Sequence, residues 1–164
     1  MDASWDSYRG KEIKKLALSC KGLVLEPVHQ KQPNNKTCVH TCLAMVSGLP
    51  VEKVIEAYGD HRGLTWWDEQ TFLGLCGIRY HPINFREILP LGGVYLATIQ
   101  SLNHKNTAHR IVMVKQPKSK TIILDPNEGV EGKIAYTMKE TGGHRMFDLL
   151  FLEPGNFYVP NMEG

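Results

Sequence analysis

The sequence lacks long hydrophobic runs and a strong excess of charge of either sign. No stretch approaches the about 20 consecutive apolar residues that a membrane-spanning helix needs. The N-terminal segment MDASWDSYRGKEIKK is polar and contains no apolar core of a secretion signal. A formal net charge of +2 gives no electrostatic reason to expect nucleic acid or an anionic membrane as a partner. We therefore expect a cytoplasmic protein that binds neither.

Cofactor signatures are also missing. The chain has no G-x-G-x-x-G and no Gly-Lys-Ser/Thr sequence that would hold a phosphate group. It has no C-x-x-C pair, and Cys20 and Cys76 are isolated in the sequence. We therefore predict no cofactor and no bound metal. A length of 164 residues, without repeats or low-complexity linkers, predicts a single domain over residues 1–164 and leaves oligomeric state open.

Helical patterns dominate the first half and strand patterns the second. Cys38, Cys42 and Met45 recur at i, i+4 and i+7, and Gly48 can end that helix. Two more helices are predicted in PVEKVIEAYG and LTWWDEQTFLGLCGI, whereas LALSCKGLVLEPV has strand-like composition. Further predicted strands are VYLATIQ, HRIVMVK, TIILDP and MFDLLFLEP. This order predicts an α+β fold with a helical layer on an antiparallel sheet.

The segment KQPNNKTCVHTCLAMVSG places Cys38 on the first turn of a helix. Unpaired backbone N–H groups and the helix dipole favour a thiolate there, so Cys38 is a candidate nucleophile. A cysteine is also a common small core residue. Cys38, His40 and Cys42 together could bind zinc, although His40 would point away from the other two on a helix. A nucleophile, a core thiol and a metal ligand all remain open on spacing alone.

A nucleophilic cysteine needs a base and a group that orients the base. If HRIVMVK and TIILDP form a hairpin with Val114 opposite Thr121, His109 lies opposite Asp125 or Pro126. A carboxylate beside the imidazole would fix its tautomer and stabilise its protonated form. The pair could equally cap a sheet edge. The backbone N–H of Cys38 or a side-chain amide from the preceding loop could stabilise an oxyanion, and the available amides are Gln30, Gln32, Asn34 and Asn35.

These pieces resemble the papain-like cysteine peptidases, in particular the double-glycine leader peptidases that process bacteriocin precursors. That family has a Gln six residues before its nucleophile, as Gln32 precedes Cys38. Its nucleophile opens a C-G-x-[TAS]-[CS]-L-A-M segment, which reads CVHTCLAM here. Its catalytic His begins a strand of H-x-V-V type, and an Asp-Pro ends the next strand. HRIV and Asp125-Pro126 match, and the resemblance covers about residues 28–154.

The resemblance implies a papain-like fold and a cysteine peptidase or amidase that acts on a peptide or protein substrate. Cys38 would attack the carbonyl, His109 would transfer the proton, Asp125 would orient His109, and Gln32 would stabilise the oxyanion. Val39 departs from the family's usual Gly and could narrow the channel over the thiolate. The alternative is a non-catalytic peptide- or protein-binding module on the same fold. Trp66 and Trp67 are candidates for substrate binding, although such a pair commonly splits between core and surface.

Overall fold

The computed structural model describes residues 3–84, 92–100, 108–115, 121–127, 135–137 and 146–154. Within these residues, four helices precede six strands, which confirms the predicted α+β class. Their bounds are α1 (Ala3–Ser19), α2 (Cys38–Ser47), α3 (Val51–Tyr58), α4 (Trp66–Leu75), β1 (Ile78–Ile83), β2 (Gly93–Gln100), β3 (Ala108–Lys115), β4 (Thr121–Leu124), β5 (Ala135–Thr137) and β6 (Met146–Pro154). In the described part of the chain, no helix is both long and apolar enough to cross a membrane.

The strands form one antiparallel sheet in the order β1-β6-β2-β3-β4-β5. The last strand of the chain, β6, therefore lies between the first two strands, β1 and β2, and pairs with both. Strands β2 and β3 pair along their full length, from Gly93 opposite Lys115 to Gln100 opposite Ala108. This pairing places His109 opposite Ile99, close to one end of the sheet.

The helical layer packs on one face of the sheet. Helix α2 is the innermost helix, because every side chain from His40 to Ser47 is buried. It contacts α3 and β3, and α1 packs against α3 and α4. The apolar side chains of this layer form one core with alternate residues of the sheet, including Leu43, Phe72, Leu96 and Val112. Each large side chain buried in this way contributes about 1.5–3 kcal/mol to folding.

The opposite face of the sheet carries a second apolar cluster. Tyr95 and Ala97 of β2 alternate with Val94 and Leu96, which face the helices. This alternation follows from the two-residue period of a strand. The second cluster also contains Ile99, Ile111, Met113, Ile123 and Leu149. The central strands are thus buried on both faces, and their rich content of β-branched residues reflects this.

The prediction of a strand in LALSCKGLVLEPV is wrong, because its first residues belong to α1. Helix α1 continues through Ser19 because Ile13, Leu16, Ala17 and Cys20 repeat at helical spacing and pack together on the core. The following segment is irregular, with one backbone bond from Val24 N–H to the Val46 carbonyl oxygen at 2.8 Å. Of its apolar residues, Leu23 packs against the helical core, whereas Leu25 and Val28 are exposed.

The predicted hairpin exists, but its register differs by one residue. Lys115, not Val114, pairs with Thr121, and Val114 pairs with Ile122. The shift matters because successive side chains of a strand point to opposite faces. Strand β4 ends at Leu124, so Asp125 follows the strand and reaches His109 from the turn.

Candidate active site

Cys38 is the first residue of α2, as the sequence predicts. Thr37 occupies the N-cap position but its hydroxyl does not cap the helix; it donates a 3.0 Å hydrogen bond to the Asn34 carbonyl. At the other end, Gly48 adopts φ +72°, a left-handed conformation that a side chain would strain, and ends the helix. Cys38 is therefore held at the open end of a buried helix, where it is partly exposed.

His109 lies between the thiol of Cys38 and the carboxylate of Asp125. Its Nε2 is 2.7 Å from Oδ1 of Asp125, and Asp125 is fully buried. The ring also interacts with the Cys38 side chain. Since Nε2 is engaged by the carboxylate, Nδ1 is the nitrogen left for the sulfur. The structure thus brings together three of the four residues that the sequence and the resemblance single out.

The turn after β4 holds the Asp125 carboxylate in place. Oδ1 also accepts a 2.8 Å hydrogen bond from the Asn127 backbone N–H, an Asx turn. The loop before α2 braces this turn from outside. His29 Nε2 donates to the Asp125 carbonyl oxygen at 2.6 Å, and the Gln32 N–H donates to the Pro126 carbonyl at 2.7 Å. The loop that carries Gln32 is therefore attached to the residue that orients His109.

The electrostatics of the pair favour a thiolate beside an imidazolium. Burial alone would raise the pKa of Cys38, but the hydrogen bond with His109 and backbone hydrogen bonds from Arg110 and Val39 outweigh it and lower the pKa. Burial alone would lower the pKa of His109, but the hydrogen bonds with Asp125 and Cys38 raise it to about 9. Each group stabilises the charged form of the other.

The second cysteine of the helix has the opposite properties. Cys42 is completely buried, and its thiol donates to the Arg110 carbonyl oxygen at 3.3 Å. Burial raises the pKa of Cys42 well above its ordinary value. His40 points elsewhere, with Nε2 2.8 Å from the Gly59 carbonyl oxygen and its ring edge-on to Tyr58. The side chains of Cys38, His40 and Cys42, considered above as zinc ligands, therefore have three separate sets of partners.

A cleft of about 240 Å³ opens over Cys38 and His109. Val39 and Ala108 line it beside the thiol and the imidazole, and Trp66 lines it from α4. Both tryptophans are exposed, Trp66 by 65% and Trp67 by 69%, so the pair does not divide between core and surface. Trp67 is absent from the residues that line this cleft.

The start of α4 is fixed beside the cleft by a capping box. Thr65 Oγ1 accepts from the Asp68 N–H at 3.2 Å, and Asp68 Oδ2 accepts from the Thr65 N–H at 2.8 Å. This double cap satisfies free N–H groups of the first turn. It sets Trp66 at the entrance and Glu69 on the inner wall of the cleft.

The sequence did not predict the buried ion pair between Glu69 and Arg110 on this wall of the cleft. Arg110 donates to both carboxylate oxygens of Glu69, at 2.9 and 2.5 Å, and also bonds to Thr98 and Asp148. Burial raises the pKa of Glu69, although the charge of Arg110 opposes this shift. Burial alone would lower the pKa of Arg110, but the charge of Glu69 outweighs burial and raises it. The available signal is an arginine directly before the apolar run IVMV of a predicted strand, since a buried guanidinium requires a carboxylate partner.

Gln32 is buried near the site, but its amide is already engaged. Nε2 donates to the Asn34 carbonyl oxygen at 2.7 Å, while Oε1 has no partner among the described residues. If the Gln32 amide were rotated by 180°, its Oε1 would face the Asn34 carbonyl oxygen, and two acceptors would repel each other. The Asn34 carbonyl therefore fixes the orientation of the amide. One amide N–H remains for another acceptor. Gln32 does not line the cleft.

Comparison with known proteins supports the fold. No family model matches the sequence, and no curated protein matches it. Among solved structures, the chain resembles a crystal structure of a double glycine motif protease from an AMS/PCAT transporter in complex with the leader peptide. The superposition covers 82% of this chain and 95% of that chain, with a TM-score of 0.56 and 22% sequence identity. The fold is papain-like. The resemblance drawn from the sequence is therefore confirmed for the architecture of this chain.

Proposed function

We propose that this protein is a cysteine peptidase that hydrolyses a peptide or isopeptide bond. The observation that carries the proposal is the position of His109, which lines the same cleft as Cys38 and lies 2.7 Å from Asp125 Oδ1. The same pair opens onto a cleft, so a substrate carbonyl can reach the sulfur. A buried structural thiol such as Cys42 has neither a base nor an opening.

The mechanism follows from these contacts. The Cys38 thiolate attacks the carbonyl carbon, and His109, as imidazolium, donates a proton to the leaving amine. A thioester to Cys38 remains, and His109 then removes a proton from the water that hydrolyses it. Asp125 keeps Nε2 of His109 protonated, so that Nδ1 serves the reacting atoms. The Cys38 N–H at the helix start and the remaining N–H of Gln32 are the proposed donors to the oxyanion.

The proposed substrate is an extended segment of a peptide or protein. The solved relative was crystallised with its leader peptide. The cleft of this chain is open at its mouth and flanked by an exposed indole, which suits a chain passing across the thiol. Val39 contributes a side chain next to the nucleophile, so residues with small side chains beside the scissile bond fit best.

The decisive experiment compares two cysteines of one helix. In one reaction, purified protein is incubated at pH 6 with an excess of iodoacetamide. In a separate reaction without iodoacetamide, it is incubated with a peptide library, and cleavage is followed by mass spectrometry. We expect labelling of Cys38 and cleavage, both lost in Cys38→Ala. The matched control Cys42→Ala should retain both, because Cys42 is buried away from the cleft. Cleavage that survives in Cys38→Ala would refute the assignment. An inert Cys38 combined with retention of peptide by the unaltered protein would favour the binding module.

A further inference from the structure

Helix α2 begins without a side-chain cap. The Thr37 hydroxyl donates to the Asn34 carbonyl instead, and the first turn of the helix carries no acidic residue. The first backbone bond of the helix runs from the Thr41 N–H to the Thr37 carbonyl oxygen at 3.0 Å. A capping oxygen would occupy one of the free N–H groups at the helix start and would stabilise that turn. In its absence, the position of the first turn depends on other contacts.

His40 lies two residues after Cys38 and supplies such a contact. Its side chain is completely buried, and Nε2 lies 2.8 Å from the Gly59 carbonyl oxygen. Since a carbonyl oxygen can only accept, Nε2 carries the proton of this hydrogen bond. Nδ1 is buried and has no hydrogen-bond partner among the described residues. Burial lowers the pKa of His40, although the bond to Gly59 opposes this shift, so the ring is neutral at pH 7.

The acceptor of this hydrogen bond is itself fixed. Gly59 ends α3, and its N–H donates to the Ile55 carbonyl oxygen at 2.6 Å. Its φ of +83° is a left-handed conformation that a side chain would strain. The His40 ring also packs edge-on against Tyr58, with ring centroids 6.3 Å apart, and Tyr58 contacts Phe72 of α4. His40 therefore joins the first turn of α2 to the C-terminal end of α3 inside the helical layer.

We propose that His40 is a positioning residue whose hydrogen bond to Gly59 fixes the first turn of α2 and thereby holds the Cys38 sulfur beside the His109 ring. His40 does not line the cleft, so it acts through the backbone of the helix and not on the substrate. The inference rests on the proposed function, because it concerns the placement of the nucleophile. Displacing a reacting atom by about 1 Å can reduce a rate by about 10²-fold, so a small rotation of this turn is sufficient.

A purely structural role would place a different demand on residue 40. The neighbouring buried positions of α2, from Cys42 to Val46, carry side chains that fill space without a ring nitrogen. His40 buries two nitrogens, and the one without a partner costs stability. An apolar side chain of similar volume would therefore serve the core better. The property that distinguishes His40 is the N–H donor at Nε2, directed at the end of α3.

The test compares two substitutions of nearly equal size in the full-length protein. His40→Gln places an amide N–H near the position of Nε2 and can bond to Gly59, whereas His40→Met fills the same space without a donor. The rate of Cys38 alkylation by iodoacetamide is measured against pH by mass spectrometry. We expect His40→Met to shift this profile to higher pH, because a sulfur displaced from the imidazolium titrates like an ordinary thiol. In peptide cleavage, kcat should fall by up to about 100-fold with KM nearly unchanged. His40→Gln should restore both.

Ser47→Ala is the control for a general disturbance of the helix. It removes a buried hydrogen bond of 2.6 Å to the Leu43 carbonyl oxygen, at the other end of α2, and should leave the Cys38 profile unchanged. An unshifted profile in His40→Met would overturn the inference, as would equal shifts in His40→Met and His40→Gln or in His40→Met and Ser47→Ala. If the melting curve shows that His40→Met does not fold, His40→Asn, whose amide is one methylene shorter, supplies the comparison.

The alkylation profiles also separate this inference from the proposed function. Alkylation of Cys38 requires no turnover, so the comparison of His40→Met with His40→Gln remains decisive when no peptide is cleaved. An unsubstituted protein that cleaves no peptide would refute the peptidase assignment, while the two profiles would still support or overturn the role of His40.

Discussion

Nε2 of His109 lies 2.7 Å from Oδ1 of Asp125, and the carboxylate is completely shielded from solvent. The contact joins a residue at the start of β3 to the turn after β4, so the hairpin itself sets the distance between base and carboxylate. It selects one tautomer of the imidazole and favours its protonated form.

Replacing the Asp125 carboxylate by an amide of nearly the same size should disable the site while preserving its packing. We expect Asp125→Asn to lower kcat by about 10⁴-fold, since the amide favours the wrong tautomer of His109. The measurement is steady-state cleavage of a peptide identified in the library. Asp148→Asn is the matched control, because Asp148 lines the cleft but lies on its exposed rim, with 60% of its side chain accessible. Similar losses in both variants would contradict the role of Asp125.

The pH dependence should report the thiolate–imidazolium pair. The hydrogen bond with His109 lowers the pKa of Cys38 against the effect of burial, and the pKa of His109 is raised to about 9, so the charged pair persists up to about pH 9. Alkylation of Cys38 should therefore extend to lower pH than alkylation of an ordinary thiol. Peptide cleavage should fall as the pH rises through about 9, where His109 loses its proton.

The same shift has a consequence for stability. Because the folded-state pKa of His109 lies above its unfolded value, its contribution is complete below about pH 6.5 and disappears as the pH rises through about 9. Chemical denaturation at pH 6 and pH 10 measures this difference. His109→Gln should reduce the pH dependence, and an unchanged profile in that variant would contradict the assignment.

Gln32 and Gln30 permit a comparison of two side-chain amides in the loop before α2. Gln32→Ala should reduce kcat by about 10²–10³-fold, the usual cost of losing one oxyanion donor. Gln30 bonds instead to the Leu49 carbonyl and the Val51 N–H, at 2.8 and 2.7 Å, and thereby anchors the loop to the start of α3. Gln30→Ala should lower the melting temperature and leave kcat close to normal. If Gln32→Ala gives only the stability effect, Gln32 is not an oxyanion donor.

The two tryptophans allow a similar comparison. Trp66 lines the cleft, whereas Trp67 is equally exposed but is not one of its lining residues. We expect Trp66→Ala to raise KM by about tenfold, since an aromatic contact with substrate contributes about 1 kcal/mol or more. Trp67→Ala should leave KM unchanged. The Michaelis constants of the two variants with one peptide decide the matter, and equal effects would exclude a specific role for Trp66.

Local patterns predicted the elements that carry the site, and long-range contacts account for what they missed. The i, i+4, i+7 spacing predicted α2, and runs of β-branched residues predicted β2, β3, β4 and β6. The apolar residues of α1 also fit a strand, because tertiary packing decides between two periods in so short a segment. The hairpin register depends on the geometry of its turn, which composition alone does not specify. Glu69 and Arg110 are 41 residues apart and have no local signal that pairs them.

The ion pair between Glu69 and Arg110 makes one side of the cleft stiff. The guanidinium joins α4 to the sheet through two carboxylate oxygens, so widening the cleft there would separate opposite charges away from water. Trp66, which is exposed on the rim, can rearrange at little energetic cost. Substrates of different shape would therefore be accommodated by the outer lip, while the floor beneath the scissile bond keeps its dimensions.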